Sequence, residues 1–309
     1  MSFESLLNSG RHILSQGSVY ELLRRSPEVE YDEHIFHAGL IYDPGFAKVL
    51  EGVYRAYVDA AVDSGFDVAI GTPTWRANAE RIAASAFAGR AVNEDNVRFL
   101  REIRDSYADA GIDILIEGDF GPRGDAYRPE EALDVDGARS FHAPQVEALA
   151  ASGVDYLQGS TFPALSEATG ASLAMAQTGL PYAISFVVDR SGCLLDGTRL
   201  AEAIARIDDR VGRNSARYAI NCVHPRILQQ ALERNPEIEG RIISFHGNTA
   251  DLTAAELDGS EELITEEPRA FARACEELLG SHDIRIVGGC CGSNPDHIRA
   301  IAAVLPNGS

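Results

Sequence analysis

Short apolar runs alternate with amphipathic stretches from one end of the chain to the other. The runs are residues 12–14, 67–71, 112–117, 154–158, 182–187, 218–222, 241–245 and 284–288. Each is rich in Ile, Val, Leu, Tyr or Phe, the pattern of strands buried on both faces. Between them lie stretches with a helical period. Residues 46–64 carry Val49, Leu50, Val53, Tyr54, Tyr57 and Val58 near i, i+3, i+4 spacing. Residues 93–110, 137–152, 164–178, 200–211, 226–235, 268–280 and 295–304 follow the same rule. Gly111, Gly153 and Gly179 each stand between a helical stretch and a strand, where a left-handed cap belongs.

Eight β-then-α units in one chain predict a single (β/α)8 barrel spanning residues 1–309. A doubly wound open sheet is the alternative, weakened by the absence of a Gly-rich phosphate-binding motif after the first strand. The least regular segments, residues 26–44 and 248–268, read as loops after strands one and seven.

Charge narrows the choice of partner. The chain has 47 acidic against 27 basic residues, a net −20, and repels nucleic acid and anionic membrane surfaces. Lys48 is the only lysine, so Schiff-base chemistry has a single candidate, and that candidate lies in an amphipathic helical stretch. No 18-residue apolar run and no apolar signal core are present, which predicts a cytoplasmic protein with reduced thiols. The partners expected are small molecules, with the chain a monomer or homo-oligomer.

In a barrel the chemistry sits at the C-terminal strand ends. Of five cysteines, Cys193 and Cys275 read as inert small hydrophobes. Cys222 closes the sixth run, and Cys290 with Cys291 closes the eighth. These runs flank the seventh strand, so the three sulfurs can converge at the mouth. Adjacent residues of a regular strand point to opposite faces. Gly288, Gly289 and Gly292 give the backbone freedom to turn both cysteines to one ion. The helix that follows starts with Asn294 and Pro295, and its N-terminus favours a thiolate on Cys291. Three thiolates with an open fourth position suit a catalytic zinc that activates a substrate thiol. His224 and His297 lie close by and read as flanking or surface residues rather than ligands.

The run Gly288-Gly289-Cys290-Cys291-Gly292-Ser293-Asn294-Pro295-Asp296-His297-Ile298, with the Asn221-Cys222 pair upstream, resembles the homocysteine S-methyltransferase family. Three further segments, Thr72 to Asn78, Gly118 to Gly124 and Ile184-Ser185-Phe186, are similar to it in the right order. The resemblance implies a (β/α)8 barrel with zinc on Cys222, Cys290 and Cys291. It implies an acceptor thiol as fourth ligand and a methyl donor of the sulfonium or betaine type. Ser15, Thr72, Asp119, Ser160, Asn221 and Asn248 are the implied substrate-binding residues at the mouth.

Two positions depart from the family pattern. Ser15 and Ser160 stand where the family usually has an aspartate and a glutamate that help hold the amino-acid part of homocysteine. An ammonium group loses hydration on binding and needs a countercharge. The expected acceptor is therefore a thiol that lacks the α-ammonium or carries it elsewhere, unless Glu117, Asp119 or Asp125 compensates. Two other functions stay open on the same residues. One is a hydrolase-like reaction through metal-bound water, with His224 or Asp119 as base. The other is a metal-binding barrel without catalysis.

Overall fold

The computed structural model describes residues 2–213, 215–253, 256 and 263–306. Eight parallel strands close into a barrel in sequence order. They are β1 (Ile13–Ser15), β2 (Val68–Gly71), β3 (Ile114–Phe120), β4 (Tyr156–Phe162), β5 (Tyr182–Phe186), β6 (Arg217–Asn221), β7 (Ile242–Gly247) and β8 (Ile286–Gly289). β8 pairs with β1 through Ile13↔Ile286 and Leu14↔Val287, which excludes the open sheet.

The described helices in chain order are α1 (Phe3–Leu7), α2 (Tyr20–Arg24), α3 (Pro44–Ser64), α4 (Ala79–Ala84), α5 (Val92–Asp105) and α6 (Val135–Ala151). They continue with α7 (Leu165–Ala176), α8 (Leu200–Val211), α9 (Pro225–Glu233), α10 (Pro268–Ser281) and α11 (Pro295–Val304). The expected caps are present: Gly111, Gly153 and Gly179 have φ of 76°, 85° and 75°. No described helix is long and apolar enough to cross a membrane.

The barrel interior is layered along its axis. At the N-terminal end Phe3, Leu6, Ile13, Ala69, Leu115, Tyr156 and Ile286 form an apolar plug. Phe3 of α1 stacks on Tyr156 with ring centroids 4.2 Å apart, so the first helix seals that end. Above the plug the inward residues turn polar. Tyr156 Oη donates to Glu117 Oε2 at 2.5 Å, and Gln158 Nε2 donates to Glu117 Oε1 at 3.2 Å. Residues 117, 119, 158 and 160 alternate along β3 and β4, so apolar packing below grades into a polar mouth above.

The segment after β1 is more ordered than its sequence indicates. An antiparallel bridge pairs Asp32 with Phe36, and a 3-10 helix follows at His37–Tyr42. Of the acidic excursion after β7, residues 254–255 and 257–262 lie outside the described residues.

Candidate active site

Three sulfurs meet at the C-terminal mouth. The Sγ atoms of Cys222, Cys290 and Cys291 all lie within 4.8 Å of one another, and Cys222 Sγ is 3.6 Å from Cys291 Sγ. Cys222 directly follows β6, and Cys290 and Cys291 follow β8. Backbone bonds to the intervening strand fix the approach: Cys222 N donates to His246 O at 2.9 Å and Cys290 N to Gly247 O at 2.7 Å. Thr249 N closes the third side by donating to Cys291 O at 3.1 Å.

The glycines work differently from one another. Gly292 has φ 82° and makes the turn after the cysteine pair. Gly288 is there for close approach: a Cβ on it would sit 2.7 Å from Ser15 O. The unexpected dihedral belongs to Cys222 itself, a non-glycine residue at φ 61°. That costs roughly 1–2 kcal/mol relative to a right-handed conformation and turns the sulfur away from a regular strand direction.

Sulfurs this close cannot ionise independently. Hydrogen bonds from Cys290 and Cys291 push the Cys222 thiol down, and the bonds to Cys222 push the other two thiols up. A divalent cation relieves that competition by accepting all three as thiolates. The spacing fits such a cation: a tetrahedral zinc at about 2.3 Å from each sulfur sets them roughly 3.8 Å apart.

Two neutral groups attend Cys222 Sγ. Asn248 Nδ2 donates to it at 3.8 Å. Tyr127 Oη lies 3.1 Å away, carried on the loop after β3. Tyr127 had no signal in the sequence, because a tyrosine in a long irregular loop resembles any surface aromatic. His224 and His297 do not touch the sulfurs. His224 caps α9 and bonds Glu266 Oε2 at 3.2 Å, while His297 completes the cap of α11 with Asn294. Both are buried, so the surface reading of His297 does not hold.

The other expected residues gather on the same face with distinct tasks. Asn221 Oδ1 accepts from Thr161 N at 3.0 Å and from Ser185 Oγ at 2.6 Å. Thr72 Oγ1 accepts from Asp119 N at 2.9 Å and shares a 2.6 Å bond with Thr74 Oγ1. Its hydroxyl thus ties the β2 loop to β3. Ser15 is buried, and among the described residues its hydroxyl makes only a long 3.4 Å bond to Ala69 O. Ser160 Oγ donates to Asp119 Oδ1 at 2.5 Å. The neutral residue of β4 therefore stands against a carboxylate of β3. Burial and the nearby charge of Glu117 push the Asp119 carboxyl up, opposed by the Ser160 bond. Asp125 is in the loop beyond β3, where its Oδ1 accepts from Tyr127 N at 2.8 Å.

Known proteins share both fold and sequence features. The homocysteine methyltransferase MmuM from Escherichia coli, in its metallated form, superposes with a TM-score of 0.76 at 22% identity, covering 97% of this chain and 98% of that one. Homocysteine S-methyltransferase YbgG of Bacillus subtilis is 27% identical over 245 residues, 70% of this chain and 74% of its own. The selenocysteine methyltransferase of Astragalus bisulcatus is 27% identical over 282 residues, 80% of each chain. The sequence profile described as homocysteine S-methyltransferase matches residues 13–305, from the first strand through the last helix and across all three cysteines. The chain belongs to the homocysteine S-methyltransferase family and is a methyltransferase.

Proposed function

We propose that the protein moves a methyl group from a small onium donor to the sulfur of a thiol acceptor, at a zinc ion on Cys222, Cys290 and Cys291. The observation that carries this reading is the cluster of three sulfurs within 4.8 Å at the catalytic end of the barrel. Bound zinc would supply the acidity that removes the thiol proton and the anchor that fixes the sulfur. Asn248 and Tyr127 hold Cys222 Sγ in place through the bonds described above. In the transfer the acceptor sulfur's electron pair forms the new S–CH3 bond. The old bond breaks with its pair going to the donor's onium atom, which becomes neutral. In-line geometry needs both reactants fixed, which a rigid barrel mouth provides.

Neutral Ser15 and Ser160 favour an acceptor without an α-ammonium. One contact favours a second reading: Asp119 Oδ1, 2.5 Å from Ser160 Oγ, offers a carboxylate beside the place of the missing acid. An ammonium docking there would draw Asp119 into its charged form.

Steady-state methylation with sulfonium and betaine donors separates these readings. Homocysteine is compared with 4-mercaptobutyrate, the same thiol without its amino group, in the native protein and in Asp119→Asn. If the acceptor lacks the ammonium, mercaptobutyrate is preferred and Asp119→Asn changes nothing. If Asp119 holds the ammonium, homocysteine is preferred by tenfold or more and the substitution abolishes the preference. Zinc-loaded protein that methylates neither thiol, nor any of a wider thiol panel, contradicts the transfer reading itself.

A further inference from the structure

The barrel mouth carries a charged feature that the cysteine cluster does not use. Between the loops after β1, β2 and β3 lies a groove of about 870 Å³ whose lining includes Arg76, Arg81, Arg123 and Arg128. Two of these arginines are neutralised within the groove. Arg123 pairs with Glu80 at 3.4 Å, and Arg128 with Glu131 at 3.8 Å. Arg76 and Arg81 form no ion pair among the described residues.

Arg76 is only 6% exposed. Its Nη1 donates to Pro122 O at 3.0 Å and Gly124 O at 2.5 Å, and its guanidinium lies 4.1 Å from the Trp75 ring centroid. Its Nε is buried without a partner among the described residues. Arg81 Nη1 donates to His34 O at 3.1 Å. Carbonyls and a ring face supply dipoles; Asp125 and Glu167 act on Arg76, and Glu80 on Arg81, only through space, without a salt bridge. Burial draws the Arg76 guanidinium down to about 10, and the like charge of Arg81 adds to the effect. Asp125 also lines the groove, makes no ion pair with either arginine, and has its Oδ1 engaged by Tyr127 N.

A chain with 47 acids has carboxylates to spare. Two guanidiniums in one groove with no carboxylate in salt-bridge contact with either, one of them buried, leave room for an anion that arrives with a ligand. Their planar forks match a carboxylate or a phosphate. The loops that line the groove also send residues toward the cysteine cluster. Trp75, next to Arg76, donates Nε1 to Thr161 Oγ1 at 3.0 Å, and Tyr127, two residues past Asp125, reaches Cys222 Sγ.

We propose that Arg76 and Arg81 form an oxyanion site for the acid group, carboxylate or phosphate, of the methyl donor, whose onium end extends toward the cysteine cluster. This rests on the methyl-transfer reading.

The test titrates the zinc-loaded full chain calorimetrically with inorganic phosphate and, separately, with succinate. It uses the native protein, Arg81→Gln and Arg76→Gln. At least one anion binds the native protein saturably, and each substitution weakens it tenfold or more. Arg81→Gln, which breaks a single bond to a backbone carbonyl, decides the matter if Arg76→Gln does not fold. In turnover, Arg81→Gln raises KM for S-methylmethionine tenfold or more, with kcat and the thiol KM unchanged. It leaves KM for the methyl ester of that donor as it was. The proposal is overturned if neither anion binds saturably, if Arg81→Gln binds both as tightly as the native protein, or if the donor KM does not move. Anion binding needs no turnover, so intact binding without methylation would contradict the transfer reading and leave the anion site standing.

Discussion

Cys222 and Thr161 are two non-glycine residues held in the left-handed region, at φ 61° and 62°, and both border the mouth. One side chain ties these positions together. Asn221, the neighbour of Cys222, accepts from the backbone N–H of Thr161 across the strands at 3.0 Å. Strained dihedrals persist only where surrounding bonds over-determine them. Asn221→Ala leaves that N–H and the Ser185 hydroxyl without their acceptor. It should lower stability by about 1–3 kcal/mol in chemical denaturation. It should also weaken zinc affinity in a chelator competition, because the turn that aims Cys222 is no longer fixed. Unchanged stability would show that the strain is held elsewhere. The Asn-Cys pair was legible in the sequence. The dihedral was not, since neither Cys nor Thr signals a positive φ. The same limit hid Tyr127, whose contact depends on the path of a long loop.

At the scale of elements, all eight strands and the eight long helices stood out from apolar periodicity, with ends shifted by a few residues. The largest strand shifts are at β3 and β4. Their apolar patterns suggest stops at residues 117 and 158, but the strands run to Phe120 and Phe162. Asp119 and Ser160 break the apolar run because the barrel interior turns polar there, and Gly118 and Gly159 break it on the outer face, where an added Cβ would crowd Leu157 and Ile184. The part of each strand that carries function is the part that looks least like a strand. Packing between helices was also invisible in the sequence. Gly170 of α7 lies so close to α6 that an added Cβ would collide with Val135 O and the Ala138 side chain. Gly170→Ala should therefore destabilise the protein by about 1–3 kcal/mol, even though alanine is the better helix former. A rise in the denaturation midpoint would refute this close crossing.

For the whole molecule, burial of neutral His37 should contribute to the loss of stability in acid. Burial draws His37 down to about 4, and its Nδ1 has no partner among the described residues. Its unfolded value is near 6.5, so the unfolded chain binds more protons between those values. The associated stability, up to about 3 kcal/mol, is fully present above pH 6.5 and is lost as the pH falls toward 4. His37→Leu should flatten that part of the stability profile measured by urea denaturation across the range. An unchanged slope would show that other groups dominate acid unfolding.

The proposed thiol methyl transfer rests on the three cysteines that the barrel brings together at its mouth. The proposed metal centre is the feature on which that reading depends. X-ray absorption at the zinc edge, on metal-loaded protein with and without an acceptor thiol, tests it most directly. One zinc per chain with three sulfurs near 2.3 Å, rising to four sulfurs when the thiol is added, is the expected result. Fewer than three protein sulfurs, or a coordination shell that the thiol leaves unchanged, would contradict it.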